Sequence, residues 1–151
     1  MENFPAIICD NLPGVKKFYF VPVDDVASIS DPDGFVVSVT FDGGKDWLTG
    51  MSTERMVYEE LSEEDDNGDV FIASITGFVP GNEAELLEYF NELRRTKFLV
   101  KAVDGNDMER LLGSIEIPAR FKYKIVNDNE SNGFRFTFSA VHPDLPPFFM
   151  S

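Results

Sequence analysis

Half of the residues in YEELSEEDDNGDVF, positions 58–71, are acidic, and that density of carboxylates raises metal chelation first. A calcium loop between two helices needs oxygen ligands at fixed positions around a central glycine. With Gly68 at the sixth position, the ligand slots fall on Glu63, Asp65, Asn67 and Asp69. The first slot then holds Glu in place of Asp, and the twelfth, which needs a bidentate Glu, is Ser74. The flanks carry strand patterns where the motif needs helices. The stretch is therefore expected to hold no specific metal.

Other chemistry is equally thin. Two carboxylates across a cleft could hydrolyse a glycoside, but with 27 acids in 151 residues some pair always qualifies, so the pattern selects none. His142 is the single histidine and precedes Pro143, and a triad would need it oriented in a formed pocket. It is expected at the surface or in packing. Cys9 is the single cysteine, which excludes an internal disulfide and a multi-cysteine zinc site. It is expected to be a small buried hydrophobe. The chain contains no G-x-S-x-G, no phosphate-binding P-loop and no G-x-G-x-x-G. No cofactor is implied and no enzymatic activity is expected.

Charge narrows the partners. The formal net charge is −14, and residues 51–100 hold twelve acids against four basic groups. A field of that sign opposes approach of nucleic-acid phosphates. Lys122, Lys124 and Arg135 can line one face of a strand pair, which reads as a solvated face or a partner contact rather than a nucleic-acid surface. Trp47, in Gly44-Lys45-Asp46-Trp47, is expected to pack in a loop. The opening MENFPAIICDNLPG lacks the basic region of a secretory signal, and no apolar run approaches the roughly 20 residues needed to span a bilayer. The expectation is a protein of a reducing cytoplasm, or of a particle assembled there and later released, with no membrane.

The elements that must position these residues are mostly strands. Fifteen Phe and a 43% hydrophobic fraction are enough for a real core in one domain. Phe18-Tyr19-Phe20-Val21 is a compact strand ended by Pro22. Residues 35–41 read as one strand with Phe35, Val37, Val39 and Phe41 on a shared face. Residues 55–61 and 70–78 read as further strands, the second central. Asn67-Gly68 between them is a turn signal, so the acidic stretch becomes the tip of a long hairpin.

One helix is expected over about residues 83–95. Asn82 and Glu85 are spaced as a capping box, and Leu86, Leu87, Phe90 and Leu93 form an apolar stripe. Glu83 and Glu85 at its start, with Arg94, Arg95 and Lys97 at its end, suit the helix dipole. Asp104-Gly105 marks a hairpin between residues 98–103 and 108–112. In a second hairpin Phe121, Tyr123 and Ile125 alternate with Lys122 and Lys124, and Phe134, Phe136 and Phe138 alternate with Arg135 and Thr137. All six apolar members are expected on one buried face. Three prolines in residues 142–151 are expected to bar that segment from the sheet. It reads as an extended arm with an apolar tip, Phe148-Phe149-Met150, folded back on its own domain or docked on another subunit. The expected architecture is α+β, mainly β: an antiparallel sandwich or partly open barrel with one flanking helix, residues 1–141, followed by the arm.

This order, with a late hairpin FKYKIVNDNESNGFRFTFSAV, resembles the tail-tube family of bacteriophages and the related tube proteins of secretion systems. The resemblance implies hexameric rings stacked into a tube, with strands of neighbouring subunits forming an inner barrel. It also implies a virion location, assembly in the bacterial cytoplasm, and contacts with other tail or connector proteins. Under it, the acidic hairpin (Glu63, Glu64, Asp65, Asp66, Asp69) and the arm (Phe148, Phe149, Met150) are the partner-contact candidates, and an acidic lumen would keep DNA from adhering. The competing expectation is a small acidic inhibitor that neutralises a basic partner through Glu63, Glu64, Asp65 and Asp66.

Overall fold

A computed structural model describes residues 2–4, 16–30, 36–52, 56–65, 68–81, 83–103, 109–127, 132–142 and 148–149. In chain order the elements begin with β1 (Lys16–Pro22), a 3-10 turn (Val23–Asp25), β2 (Val26–Ile29), β3 (Val36–Val37), β4 (Val39–Phe41) and β5 (Leu48–Ser52). They continue with β6 (Val57–Asp65), β7 (Gly68–Pro80), α1 (Ala84–Arg94), β8 (Lys97–Val103) and β9 (Glu109–Leu112). The last are β10 (Ala119–Asn127), β11 (Asn132–His142) and β12 (Phe148–Phe149). Over the described residues the fold is α+β and mainly antiparallel β, with one α-helix.

The main sheet turns on β8. One edge of β8 takes β1, which in turn pairs with β5. The other edge takes β9 along Val100–Val103 and, below it, β10 at Lys97 and Phe98 alone. From that two-residue junction the sheet continues as β10-β11-β7-β6, a second layer folded over the first. No pairing among the described strands closes it into a barrel.

Alternation explains the layering. Phe18 and Phe20 of β1 and Phe98, Val100 and Ala102 of β8 face Phe121, Phe134, Phe136 and Phe138 of the second layer, all buried. Phe136 lies with ring centroids 5.4–6.2 Å from Phe4, Phe18, Phe90, Phe121 and Phe138. The mixed edge and tilted contacts of such rings are each worth about 1 kcal/mol beyond area burial. The intervening residues Val21, Leu99 and Leu111 point the other way, into a smaller core with Val26 and Val37 that Ile29, Val39, Phe41 and Trp47 cover. β8 is therefore buried on both faces, which is why FLVKAV shows no polar alternation.

The helix lies within one residue of its expected bounds at each end and buries Leu86, Phe90 and Leu93, with Leu87 half-buried. Its N-cap is Glu83, whose side chain makes no capping bond, while Asn82 lies outside the described residues. Tyr123 Oη donates to Asn91 Oδ1 at 2.7 Å and ties the helix to β10.

Three expectations are corrected. Residues 36–41 form two strands rather than one, because Ser30 intervenes: its N–H donates to Ser38 O and its Oγ accepts from Ser38 N, both at 2.8 Å. β3 stays in the main sheet while β4 pairs with β2. Ile125 is 50% exposed rather than buried, at the far end of the β10–β11 pair from the layer junction. The prolines do not bar the tail from the sheet: Phe148 and Phe149 pair in parallel with Val36 and Val37, and Phe148 also pairs with Arg110. Of the two expected placements of the tail, the backbone of residues 148–149 takes the one on its own chain. β2 and β5 were not expected at all; their short runs VASI and LTGMS are rich in Ser, Thr and Gly.

Candidate interaction surface

The acidic stretch is the distal part of a strand pair. β6 and β7 run antiparallel from Val57↔Thr76 to Asp65↔Gly68. Gly68, in the last rung of the pair, takes φ +116°, a positive value that glycine adopts without strain. The last rung that β7 shares with β11 is Phe71↔His142. Three further rungs, Glu63↔Val70, Glu64↔Asp69 and Asp65↔Gly68, extend past it, about 10 Å at the usual rise per residue. Glu63 and Glu64 are exposed and, being consecutive, lie on opposite faces. Asp65 and Asp69 have strand backbones; Asp66 lies outside the described residues. Hairpin strands on both sides replace the helices a calcium loop requires.

At the root of the hairpin a polar seam bridges the two layers. Glu60 of β6 forms an ion pair with Arg110 of β9, and Tyr58 Oη donates to the same Glu60 Oε1. The rung of Glu60 continues through Ala73 and Ala140, both buried. His142, two residues after Ala140 and on the same face, is buried and its Nε2 accepts from the Gly113 N–H at 3.1 Å. Burial pulls the imidazole below its ordinary value; the Glu60 carboxylate opposes that shift and Arg110 adds to it. Gly113 itself has φ +92°, and a Cβ there would meet Ala119 N at 2.8 Å. It marks the point where β9 leaves β8 and β10 replaces it. His142 is thus a core histidine that secures the layer junction, not a residue of an external arm.

Where β6 leaves off, Ser52 takes over. Its Oγ accepts from Phe78 N at 2.9 Å and donates to Phe78 O at 3.3 Å, so one hydroxyl serves both polar groups of a β7 residue beyond the last rung with β6. On the smaller core, Trp47 packs edge-on against Phe41 at 5.5 Å, as loop packing predicts. Sequence reasoning missed Lys101, whose Nζ sits 4.4 Å from the Tyr19 ring, 5.3 Å from Trp47 and 3.9 Å from Glu109 Oε1. A charge inside the apolar run FLVKAV was its available signal.

The outer face of the second layer carries charge of both signs. Lys122 and Lys124 of β10 are exposed and share that face with Arg135, whose guanidinium lies 5.5 Å from the Phe78 ring. At the opposite side of the layer, β6 presents Glu59 and Glu63 on this face, with Leu61 between them 55% exposed and Val57, just before Glu59 on the same face, 50% exposed. Of the other sequence-derived candidates, Phe148 and Phe149 supply the β12 backbone, while Met150 and Cys9 lie outside the described residues. The structure therefore does not bring the acidic tip and the tail together as one site. No helix is long and apolar enough to cross a membrane among the described residues. Comparison with family models, with curated proteins and with solved structures returned no match to this chain.

Proposed function

We propose that this chain is a non-enzymatic structural protein that self-associates into rings or a tube, of the kind that builds or completes a bacteriophage tail. The observation that carries this reading is the β6–β7 hairpin, a long strand pair that runs past its own layer and ends in exposed carboxylates. A hairpin of that form can reach a neighbouring subunit, and its acids would repel phosphates along a nucleic-acid passage. The element order of a two-layer sheet with one flanking helix supports the same plan. Other tail or connector proteins would be the remaining partners, and the site of action the virion after assembly in the bacterial cytoplasm.

Electron microscopy of concentrated protein with light scattering tests it. Rings or filaments that grow with concentration are the expected outcome; a monomer at every concentration refutes the proposal. The exposed Glu63 and Glu64 favour one second reading, an acidic inhibitor of a basic protein. That reading requires a monomer or dimer whose binding to the basic partner falls steeply between about 50 and 500 mM salt.

A further inference from the structure

The second layer ends in two strand edges. β6 pairs with β7 on one side and with no other described strand, and β10 pairs with β8 only at Ala119 and Arg120, so no described strand continues the sheet along residues 121–127. These edges differ in sign. On the outer face, β6 presents Glu59 and Glu63, whereas β10 presents Lys122 and Lys124, all four exposed. A protein that only guarded its edges against pairing could place one charge sign on both. Here the two are complementary.

Strand direction gives the complementarity a geometry. Each neighbour in β10-β11-β7-β6 is antiparallel to the next, so β10 and β6 of one layer run in opposite directions. A second copy set beside the first in the same orientation therefore brings its β10 antiparallel to β6. The outer faces of the two copies stay on one side, since neither is flipped, and the β6 glutamates then stand across from the β10 lysines. Leu61, 55% exposed between the two glutamates, would lie under the aliphatic stems of those lysines.

We infer that the partner of this edge is a second copy of the chain, and that β6 of one subunit adds antiparallel to β10 of the next, continuing the sheet across the interface. The inference rests on the self-association proposed above and names its surface. Such a contact is head-to-tail. Repeated with the inherent twist of a sheet, it closes a ring or propagates a filament rather than stopping at a dimer.

Two edge variants test it, E59K/E63K and K122E/K124E, with sedimentation velocity over a concentration series and circular dichroism to confirm the fold. All four sites are exposed, so folding should be retained. Each variant alone places like charges across the contact and should need on the order of tenfold or more higher concentration to associate. An equimolar mixture of the two should recover association, because each acidic edge again meets a basic one. The chain carrying all four changes should also associate by itself. If the wild type assembles and both variants assemble equally well, the edge assignment fails while self-association stands. Loss in each variant without recovery in the mixture also overturns the edge-to-edge pairing. A wild type that is monomeric throughout, including one that binds a basic peptide as a monomer, overturns self-association and the edge contact together.

Discussion

His142 shows how one side chain couples this fold to pH. Its imidazole is buried, accepts from the Gly113 N–H, and titrates below its ordinary value of about 6.5. The unfolded chain therefore binds this proton more readily than the folded one. The contribution to stability is complete above about pH 6.5 and is lost as pH falls from there through the folded value. The slope from one proton approaches about 1.4 kcal/mol per pH unit. In chemical denaturation from pH 7.5 to 5, His142→Gln should flatten the curve relative to wild type; parallel curves would remove His142 as its source. Ser52→Ala should cost on the order of 2 kcal/mol, since it removes the hydroxyl that bonds both the N–H and the carbonyl of a buried Phe78. Retention of the melting temperature in the alanine variant would show that solvent replaces the hydroxyl. Neither role was legible beforehand. The position of His142 beside Pro143 suggested an external arm, and the strand register that aims it at Gly113 depends on residues 29 apart.

Elements were most legible where one face is buried and the other is wet. β10, β11 and the β6–β7 hairpin follow from alternation and turn chemistry, and α1 from the spacing of Leu86, Phe90 and Leu93. Legibility failed where a partner outside the local window decides. The break between β3 and β4 is made by the Ser30 side chain, and β12 is held by Val36, Val37 and Arg110, each far away in sequence. The acidic tip was readable as a hairpin, but the edges of opposite sign were not, because which strand lacks a neighbour is known only from the whole sheet. β12 also changes what a truncation should do. Removing residues 148–151 deletes a strand between β3 and β9, so the melting temperature of the monomer should fall, not only its tendency to associate. Unchanged thermal stability with weakened association would instead favour the tail as a contact between subunits.

For the molecule as a whole, the charge of −14 works against any self-association, while the β6 and β10 edges work for it. The two act over different distances. Repulsion between whole subunits acts across tens of ångströms, beyond the roughly 10 Å screening length at 0.1 M salt, whereas facing cross-strand side chains stand about 5 Å apart. Moderate salt should therefore remove the repulsion first. Sedimentation at fixed protein concentration should show association rising from about 20 to 150 mM salt and falling again toward 1 M. A monotonic decline from the lowest salt would mean that short-range pairs alone govern the contact. The arrangement around β8 has a separate consequence for how the chain reaches this state. β1 pairs with β5 and with β8, and the β8 partner of Tyr19 is Lys101, on the far side of the β6–β7 hairpin and the helix. That contact closes a long loop, so its entropic cost falls early and its stabilisation arrives late. Refolding should be slow, on the scale of milliseconds to seconds. Until β1 docks, one edge of β8 stays open, and misassembly would begin from that buried strand rather than from the charged edges of the finished sheet.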